Sequence, residues 1–242
     1  GTKVILTAVP EYGSAVSGWT GCDSANGNTC TITLDSNRAV TASFRLATQV
    51  KLLSPNGGEI VPAGSEQVIS WEAPPDAVLF KVFYTPGKKI GVVGACTDTL
   101  WTVPLVKKNK STYRVKITAY NSKKRKIGSD ESDGTFTIEL GRVTFPNQGD
   151  TCTGGQTCTI TWTKSDHVPV SSIQLSYKLK KGQGWKKIPD ILPGDATSFE
   201  WTPPVFSYPQ TSCKIRLTFM NSAGRKIGTV ESDGVFRVEP GP

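Results

Sequence analysis

The stretch STYRVKITAYNSKKRKIGSDESDGTFTIE, residues 111 to 139, returns 100 residues later as TSCKIRLTFMNSAGRKIGTVESDGVFRVE, residues 211 to 239. The two copies are identical at 13 of 29 aligned positions and align without a gap. In each copy the first half alternates apolar and polar residues, which is typical of a strand with one buried face. The chain therefore contains a duplicated, strand-rich unit.

The duplication extends upstream at an offset of 91 residues, where Ile69-Ser70-Trp71 returns as Ile160-Thr161-Trp162. From Trp101 onward the offset is 100, so the second copy carries nine additional residues. We place them around KKGQGWKK, residues 180 to 187, and predict a surface loop there. Each copy of about 95 residues predicts a β-sandwich of immunoglobulin-like size with an early core tryptophan, Trp71 or Trp162.

The first 47 residues follow a different pattern, with alternation over 4–8, 30–34 and 40–44 that predicts three strands around a GWTGC loop. A unit of this size buries too small a core to be a stable independent domain, and we expect it to pack against its neighbour. The predicted architecture is all-β, with a partial β-module at 1–47 and two sandwiches at 48–140 and 141–242.

Composition narrows the functional classes. The apolar runs are far shorter than the roughly 20 residues that a membrane-spanning helix needs. Six cysteines without a CxxC pair and a single histidine do not resemble a metal framework, and they favour an oxidising, extracytoplasmic location. The net charge is +8. This excess is typical of a solubilising lysine surface, and it also biases the surface toward acidic partners such as anionic polysaccharide or a negative cell envelope, with nucleic acid ranked last.

Several motifs resemble known families. SPNGGE, VISW, WTVP and SDESDGTFTI in segment 51–140 resemble the immunoglobulin-like family of bacterial secreted proteins and of yeast cell-wall synthesis and Ser/Thr-rich GPI-anchored proteins. Segment 142–239 is similar, although FPNQGD replaces the usual PNGGE motif. Residues 1–46, with TKVILTAVPEYGSAVSGWTGC, CTITLD and RAVTASF, resemble the carboxy-terminal half of a bacterial repeat related to the internalin B repeat. The resemblance implies extracellular bacterial modules in a larger parent and no single activity.

The cysteines permit more than one pairing. Cys22 and Cys30 flank a Gly, Asn and Ser loop and predict a local disulfide. In the second sandwich Cys158 could pair with Cys152 across a turn or with Cys213 between facing strands. We favour Cys152 with Cys158, which leaves Cys96 and Cys213 free or bridging modules.

No motif predicts catalysis or a cofactor. His167, the only histidine, lies in KSDHVPV between strands, and we interpret it as a loop residue. The repeated ESDG motif could suggest a calcium loop, but Asp and Ser beside Gly more often satisfy backbone groups in a turn. We therefore predict no catalytic residue, no metal site and no cofactor.

Two lysine-rich sites are candidate ligand or polyanion contacts. Trp185 with Lys186 and Lys187 lies in the additional loop, where an exposed tryptophan could stack on a sugar or fold back onto the sandwich. Lys123 and Lys124 lie at the tip of a hairpin that we expect to join the last two strands of the first sandwich, and the second copy has Ala223 and Gly224 there.

The leading functional hypothesis is a non-catalytic, extracellular structural or interaction protein: a stalk, an adhesin-like segment or a self-assembling filament or surface-layer component. The links at 46–48 and 140–141 are short and restrict bending between modules. The expected partners are neighbouring modules or further copies that complete open strand edges. The alternative is a carbohydrate-binding or spacer segment of a larger secreted enzyme.

Overall fold

The computed structural model describes residues 1–241, and within them every regular element is a β-strand. The chain forms two compact units. The first unit holds residues 1–59, 67–101 and 112–136, and the second holds residues 60–66, 102–111 and the chain from Thr137 onward. The fold class predicted from the sequence is confirmed: the protein is all-β, with a small module followed by two β-sandwiches.

The first module contains five strands rather than three: β1 (Thr2–Thr7), β2 (Ser14–Thr20), β3 (Ser24–Asn26), β4 (Thr29–Leu34) and β5 (Thr41–Leu46). They form a three-stranded sheet in the order β1-β4-β3 and a two-stranded sheet of β2 and β5. The predicted GWTGC loop is wrong at its first half, because Gly18, Trp19 and Thr20 belong to β2 and pair with β5. A register shift after Val16 interrupts the alternation of apolar and polar residues, so the strand could not be predicted from that pattern.

The first sandwich repeat contains ten strands: β6 (Lys51–Ser54), β7 (Ile60–Pro62), β8 (Glu66–Glu72), β9 (Leu79–Tyr84), β10 (Lys88–Val93), β11 (Asp98–Thr102), β12 (Lys110–Tyr113), β13 (Val115–Tyr120), β14 (Lys126–Glu131) and β15 (Phe136–Glu139). Their sheets run β10-β9-β13-β14, β11-β8-β6 and β12-β15-β7. The alternation predicted from the sequence decides which residues are buried: Phe80, Val82, Val115, Ile117 and Ala119 are fully inaccessible to solvent.

The second repeat contains nine strands: β16 (Gly141–Phe145), β17 (Thr151–Thr153), β18 (Cys158–Lys164), β19 (Ser172–Lys178), β20 (Lys186–Pro193), β21 (Ser198–Trp201), β22 (Gln210–Met220), β23 (Lys226–Glu231) and β24 (Phe236–Glu239). One sheet runs β16-β18-β21, and the other runs β17-β24-β22-β19-β20 with β23 beside β22. β17 pairs with β24 in parallel, as β7 pairs with β15 in the first repeat.

Both repeats build the same aromatic core. The ring centroids of Tyr84 and Trp101 lie 5.2 Å apart, and Phe136 meets Trp101 edge-on. The equivalent triad in the second repeat is Tyr177, Trp201 and Phe236, with a first separation of 5.1 Å. The early tryptophans Trp71 and Trp162 are 1% and 2% exposed, which confirms their prediction as core residues. Tilted and edge-on ring pairs add specific geometry to the apolar burial.

The hairpin predicted at NSKKRKIG joins β13 to β14, and β15 follows after the ESDG turn. The expectation that it joins the last two strands is therefore wrong by one strand, because the ESDG residues turn the chain into a further short strand. In the second repeat Lys186 and Lys187 lie in β20, opposite Tyr177 and Ser176, rather than in the surface loop that was predicted for them.

Candidate functional site

Trp185 packs back onto the second repeat. Its ring lies 3.9 Å from the guanidinium carbon of Arg216 and 4.8 Å from the ammonium of Lys178. Arg216 is fixed in turn by the carboxylate of Glu231, whose Oε1 accepts its hydrogen bonds at 2.6 and 3.0 Å. A half-buried tryptophan stacked on a paired arginine is a structural contact of the cation–π type. Its use as a ligand contact, with Lys186 and Lys187, stays a prediction.

The hairpin tip that carries Lys123 and Lys124 has the same backbone geometry in both repeats. Asn121 Oδ1 accepts hydrogen bonds from the N–H groups of Lys123 and Arg125, and Asn221 does the same for Ala223 and Arg225. The turn requires a left-handed residue at its third position. The second repeat places Gly224 there with φ of 68°, and the first places Lys124 there with φ of 59°.

A groove lies beside this tip in the first repeat. It has a volume of about 380 Å³ and is lined by Val78, Leu79, Lys81, Val92, Tyr120, Asn121, Ser122 and Lys124. The Lys81 ammonium lies 4.8 Å from the centroid of the Tyr120 ring. Sequence reasoning singled out Lys124 and missed Lys81 and Tyr120, because they belong to β9 and β13 and their approach depends on strand register. We call these eight residues the Tyr120 groove.

The ESDG serines are buried and hold separate parts of each repeat together. Ser132 Oγ donates to the carbonyl of Pro55 at 2.8 Å and accepts from the N–H of Val115 at 2.9 Å. Ser232 makes the same two bonds to Pro146 and Ile215, at 3.2 and 3.1 Å. These contacts support the turn interpretation of the motif, since the serine satisfies backbone groups rather than a bound ion.

The acidic residues around ESDG are also engaged with the protein. Asp130 Oδ2 accepts a hydrogen bond from the Leu52 N–H, and Asp133 Oδ2 accepts one from the Asn56 side chain, both at 2.7 Å. Among residues 1–241, no three His, Cys, Asp or Glu side chains gather where they could hold a metal ion. His167 is exposed in the loop between β18 and β19.

The structure contains the disulfides Cys22–Cys30 and Cys152–Cys158, each with a Cα separation of 5.7 Å. Cys96 and Cys213 are free thiols. Cys213 lies on the inward face of β22, and burial raises the pKa of its thiol to about 11. The thiolate is therefore scarce near neutral pH, and this cysteine is chemically quiet.

The side chain of Asn109 forms two hydrogen bonds with the link at 140–141, and we call this contact the Asn109 clamp. Its Oδ1 accepts a hydrogen bond from the N–H of Leu140 at 2.8 Å, and its Nδ2 donates to the carbonyl of Gly141 at 2.7 Å. In the sequence, Asn109-Lys110-Ser111 matches an N-glycosylation motif and gives no other sign of a role for Asn109. Its partners lie about 30 residues away in the chain, and no local pattern could have indicated them.

The comparisons with known proteins separate the first module from the two sandwich repeats. Residues 1–48 match the model of the divergent InlB B-repeat domain, which confirms the resemblance of the first module to the internalin B repeat. The search of curated proteins returned no match. Neither finding bears on the immunoglobulin-like family of the two sandwiches, and their assignment to it stays a prediction.

Several solved structures are similar to the chain at low identity. The fibronectin(III)-like modules of Clostridium thermocellum CbhA are 17% identical, with 80% of this chain and 94% of that chain covered and a TM-score of 0.30. The FN1–FN3 domains of chicken CNTN1 are 14% identical, with 80% and 66% covered and a TM-score of 0.29. The BSP domain of a biofilm associated protein is 13% identical, with 80% and 29% covered and a TM-score of 0.24. The fold assignment rests on the strands described above.

Proposed function

We propose that the chain is a non-catalytic, extracellular structural protein that acts as a stalk or spacer and holds the modules on either side of it at a fixed geometry. Its partners are neighbouring modules of a longer parent or further copies of the chain. The two sandwiches are proposed to belong to the bacterial, yeast-cell-wall-like immunoglobulin family. The observation that carries the proposal is that backbone groups of the short links form hydrogen bonds with the protein. In a flexible linker these groups would bond to water instead.

The second link is held from both sides. Leu140 is fully buried, and Asn109 bonds to the N–H of Leu140 and to the carbonyl of Gly141. The N–H of Thr229 donates to the carbonyl of Lys107 at 2.8 Å, which ties the loop before Asn109 to β23. Because these groups are paired with protein, bending at the link would cost their hydrogen bonds.

The first link is held in a similar way. Ala47 is 1% exposed, and its N–H donates to the carbonyl of Gly13 at 2.8 Å. Arg45 pairs with the largely buried carboxylate of Glu72 at 2.7 Å, and the Tyr12 hydroxyl donates to the carbonyl of Ala77. The first module thus leans on the first sandwich repeat, as its small size requires.

Two findings support an extracellular location. Two disulfides staple the first module and the second repeat, and disulfides persist in oxidising compartments. Residues 1–48 match a repeat domain of bacterial type. Separately, the described residues 1–241 contain no helical segment that could span a membrane.

Substituting the clamp tests the proposal. Asn109→Ala is expected to lower the free energy of local opening at the link by about 2 kcal/mol, because it leaves one buried N–H and one buried carbonyl without partners. The Leu140 amide should then exchange with deuterium roughly 10–30-fold faster, as measured by hydrogen-exchange NMR.

Lys108→Ala is the matched control, because Lys108 is exposed beside Asn109 and should leave the Leu140 amide unchanged. The Val115 amide, which donates to Ser132, should stay protected in both variants. Equal exchange of Leu140 in Asn109→Ala and the parent would contradict a fixed link.

Self-assembly is the second candidate, favoured by the exposed edge of the first module. β1 is the outer strand of its sheet, and Ile5 on it is 63% exposed. In β5, Phe44 and Leu46 are 52% and 70% exposed. An unpaired edge with apolar side chains is a template for strand addition by another copy.

We expect light scattering during size-exclusion chromatography to show association that grows with protein concentration, and Ile5→Lys to lower it about tenfold, because a charge blunts an edge strand. Val235→Lys, at an exposed valine of the second repeat, is the control. A monomer at every concentration would remove the assembly role and leave the spacer role standing.

A further inference from the structure

We infer that the Tyr120 groove binds an acidic polysaccharide through a single anionic sugar unit. The groove combines an aromatic ring, two apolar walls and two lysines, and its eight lining residues, drawn from the described part of the chain, include no Asp or Glu. Its volume of about 380 Å³ suits a small ligand portion such as a sugar ring or two, and not a duplex. This inference does not depend on the spacer role.

The cations of the groove are free to meet an anion. Within residues 1–241, neither Lys81 nor Lys124 forms an ion pair with a carboxylate. Lys81 is half-buried, and its ammonium rests over the Tyr120 ring at 4.8 Å. The ring holds the charge in place without neutralising it. A carboxylate, sulfate or phosphate group entering the groove therefore meets a positioned cation.

The apolar walls supply the second half of the recognition. Val78, just before β9, and Val92, within β10, are 42% and 43% exposed. Pyranose rings present a face of C–H groups that packs on aliphatic and aromatic side chains, while their charged substituents point outward. The juxtaposition of Val78 and Val92 with Lys81 matches such a two-faced ligand better than a nucleic acid backbone, which calls for an extended basic stripe.

Lys124 provides an independent observation. It is the single non-glycine residue with positive φ in the described chain, at 59°, and the identical turn of the second repeat uses Gly224. A lysine in the left-handed region is strained, and such strain concentrates at functional sites. The first repeat thus keeps a side chain at a position where glycine would be more stable, and that side chain lines the groove.

The second repeat is a natural negative control. Thr118 and Thr218 are equivalent, and they lie opposite Lys81 and Gln174 respectively, so Gln174 takes the place of Lys81. At the same offset of 100 residues, Met220 takes the place of Tyr120 and Gly224 that of Lys124. All three residues that would contact the anionic sugar are therefore confined to the first repeat.

The test exchanges these residues for their counterparts. We expect calorimetry to detect binding of polygalacturonate and of chondroitin sulfate, and no binding of neutral dextran. Lys81→Gln and Tyr120→Met should each weaken the affinity about tenfold, and the triple variant with Lys124→Gly should abolish binding. Polygalacturonate carries only carboxylates, whereas chondroitin sulfate carries both carboxylates and sulfates, so binding of polygalacturonate shows that a carboxylate is sufficient as the bound group.

Lys124→Gly separates binding from folding. It should weaken binding several-fold while it raises the melting temperature of the first repeat by roughly 2–4 °C, because glycine relieves the left-handed strain but loses part of that gain to its greater freedom in the unfolded chain. Lys108→Ala, at an exposed lysine of the first repeat that does not line the groove, should leave both quantities unchanged. Affinity unchanged in the triple variant, equal binding of dextran, tighter binding of single-stranded DNA, or no binding of either acidic polymer would each overturn the inference.

Discussion

Gly57→Ala is expected to lower the free energy of unfolding of the first sandwich repeat by about 3–5 kcal/mol. Gly57 adopts φ of 134°, where a residue with a Cβ is strained. An added Cβ would lie 2.6 Å from the Cα of Gly134 and 2.8 Å from its nitrogen, so backbone rather than a flexible side chain blocks it. Denaturant unfolding followed by tryptophan fluorescence measures the loss.

The neighbouring glycine is the control for this prediction. Gly58 also has a positive φ, of 84°, but no atom of residues 1–241 outside its chain neighbours lies within 4 Å of a Cβ added there. Gly58→Ala should therefore cost about 1 kcal/mol, the strain alone. Equal losses for the two variants would show that the approach to Gly134 does not matter.

Ser132→Ala is expected to cost about 2–3 kcal/mol, because it leaves the buried N–H of Val115 and the carbonyl of Pro55 without the serine hydroxyl between them. Ser232→Ala should cost less, about 1–2 kcal/mol, since its bonds to Ile215 and Pro146 are longer at 3.1 and 3.2 Å. Urea unfolding of the two variants tests both values.

Ser129→Ala provides the comparison for Ser132→Ala, since Ser129 is exposed on β14 and should change stability by less than about 0.5 kcal/mol. If Ser132→Ala behaved like Ser129→Ala, the ESDG serine would not be what holds β13 to the turn at Pro55.

The duplication made much of the fold predictable. Alternation over Val115, Ile117 and Ala119 correctly placed a buried face, because a strand has only two faces and a period of two. The same logic failed at Gly18-Trp19-Thr20, where a register shift breaks the period although the strand continues. Trp71 and Trp162 were predictable as core residues because immunoglobulin-like sandwiches bury a tryptophan on an early strand, and both copies carry one at the same position.

The candidate sites were harder to predict, because they depend on which distant residues meet. Asn109 meets the link at 140–141 and Lys81 meets Tyr120 through tertiary packing that no sequence spacing encodes. The strain at Lys124 was within reach of the sequence, since its counterpart is Gly224 in an otherwise shared turn. Sequence also could not decide between the two interpretations of Trp185, because Arg216, which contacts its ring, lies on another strand.

The parallel pairs β7 with β15 and β17 with β24 decide how each repeat carries mechanical load. A pull on the two chain ends draws the strands of a parallel pair in opposite directions along their common axis. The backbone hydrogen bonds between Ile60–Pro62 and Phe136–Glu139, and those between Thr151–Thr153 and Phe236–Glu239, are then sheared together rather than opened one after another. Each repeat is thereby expected to resist stretching along the chain, which is the load that the proposed stalk role would place on it.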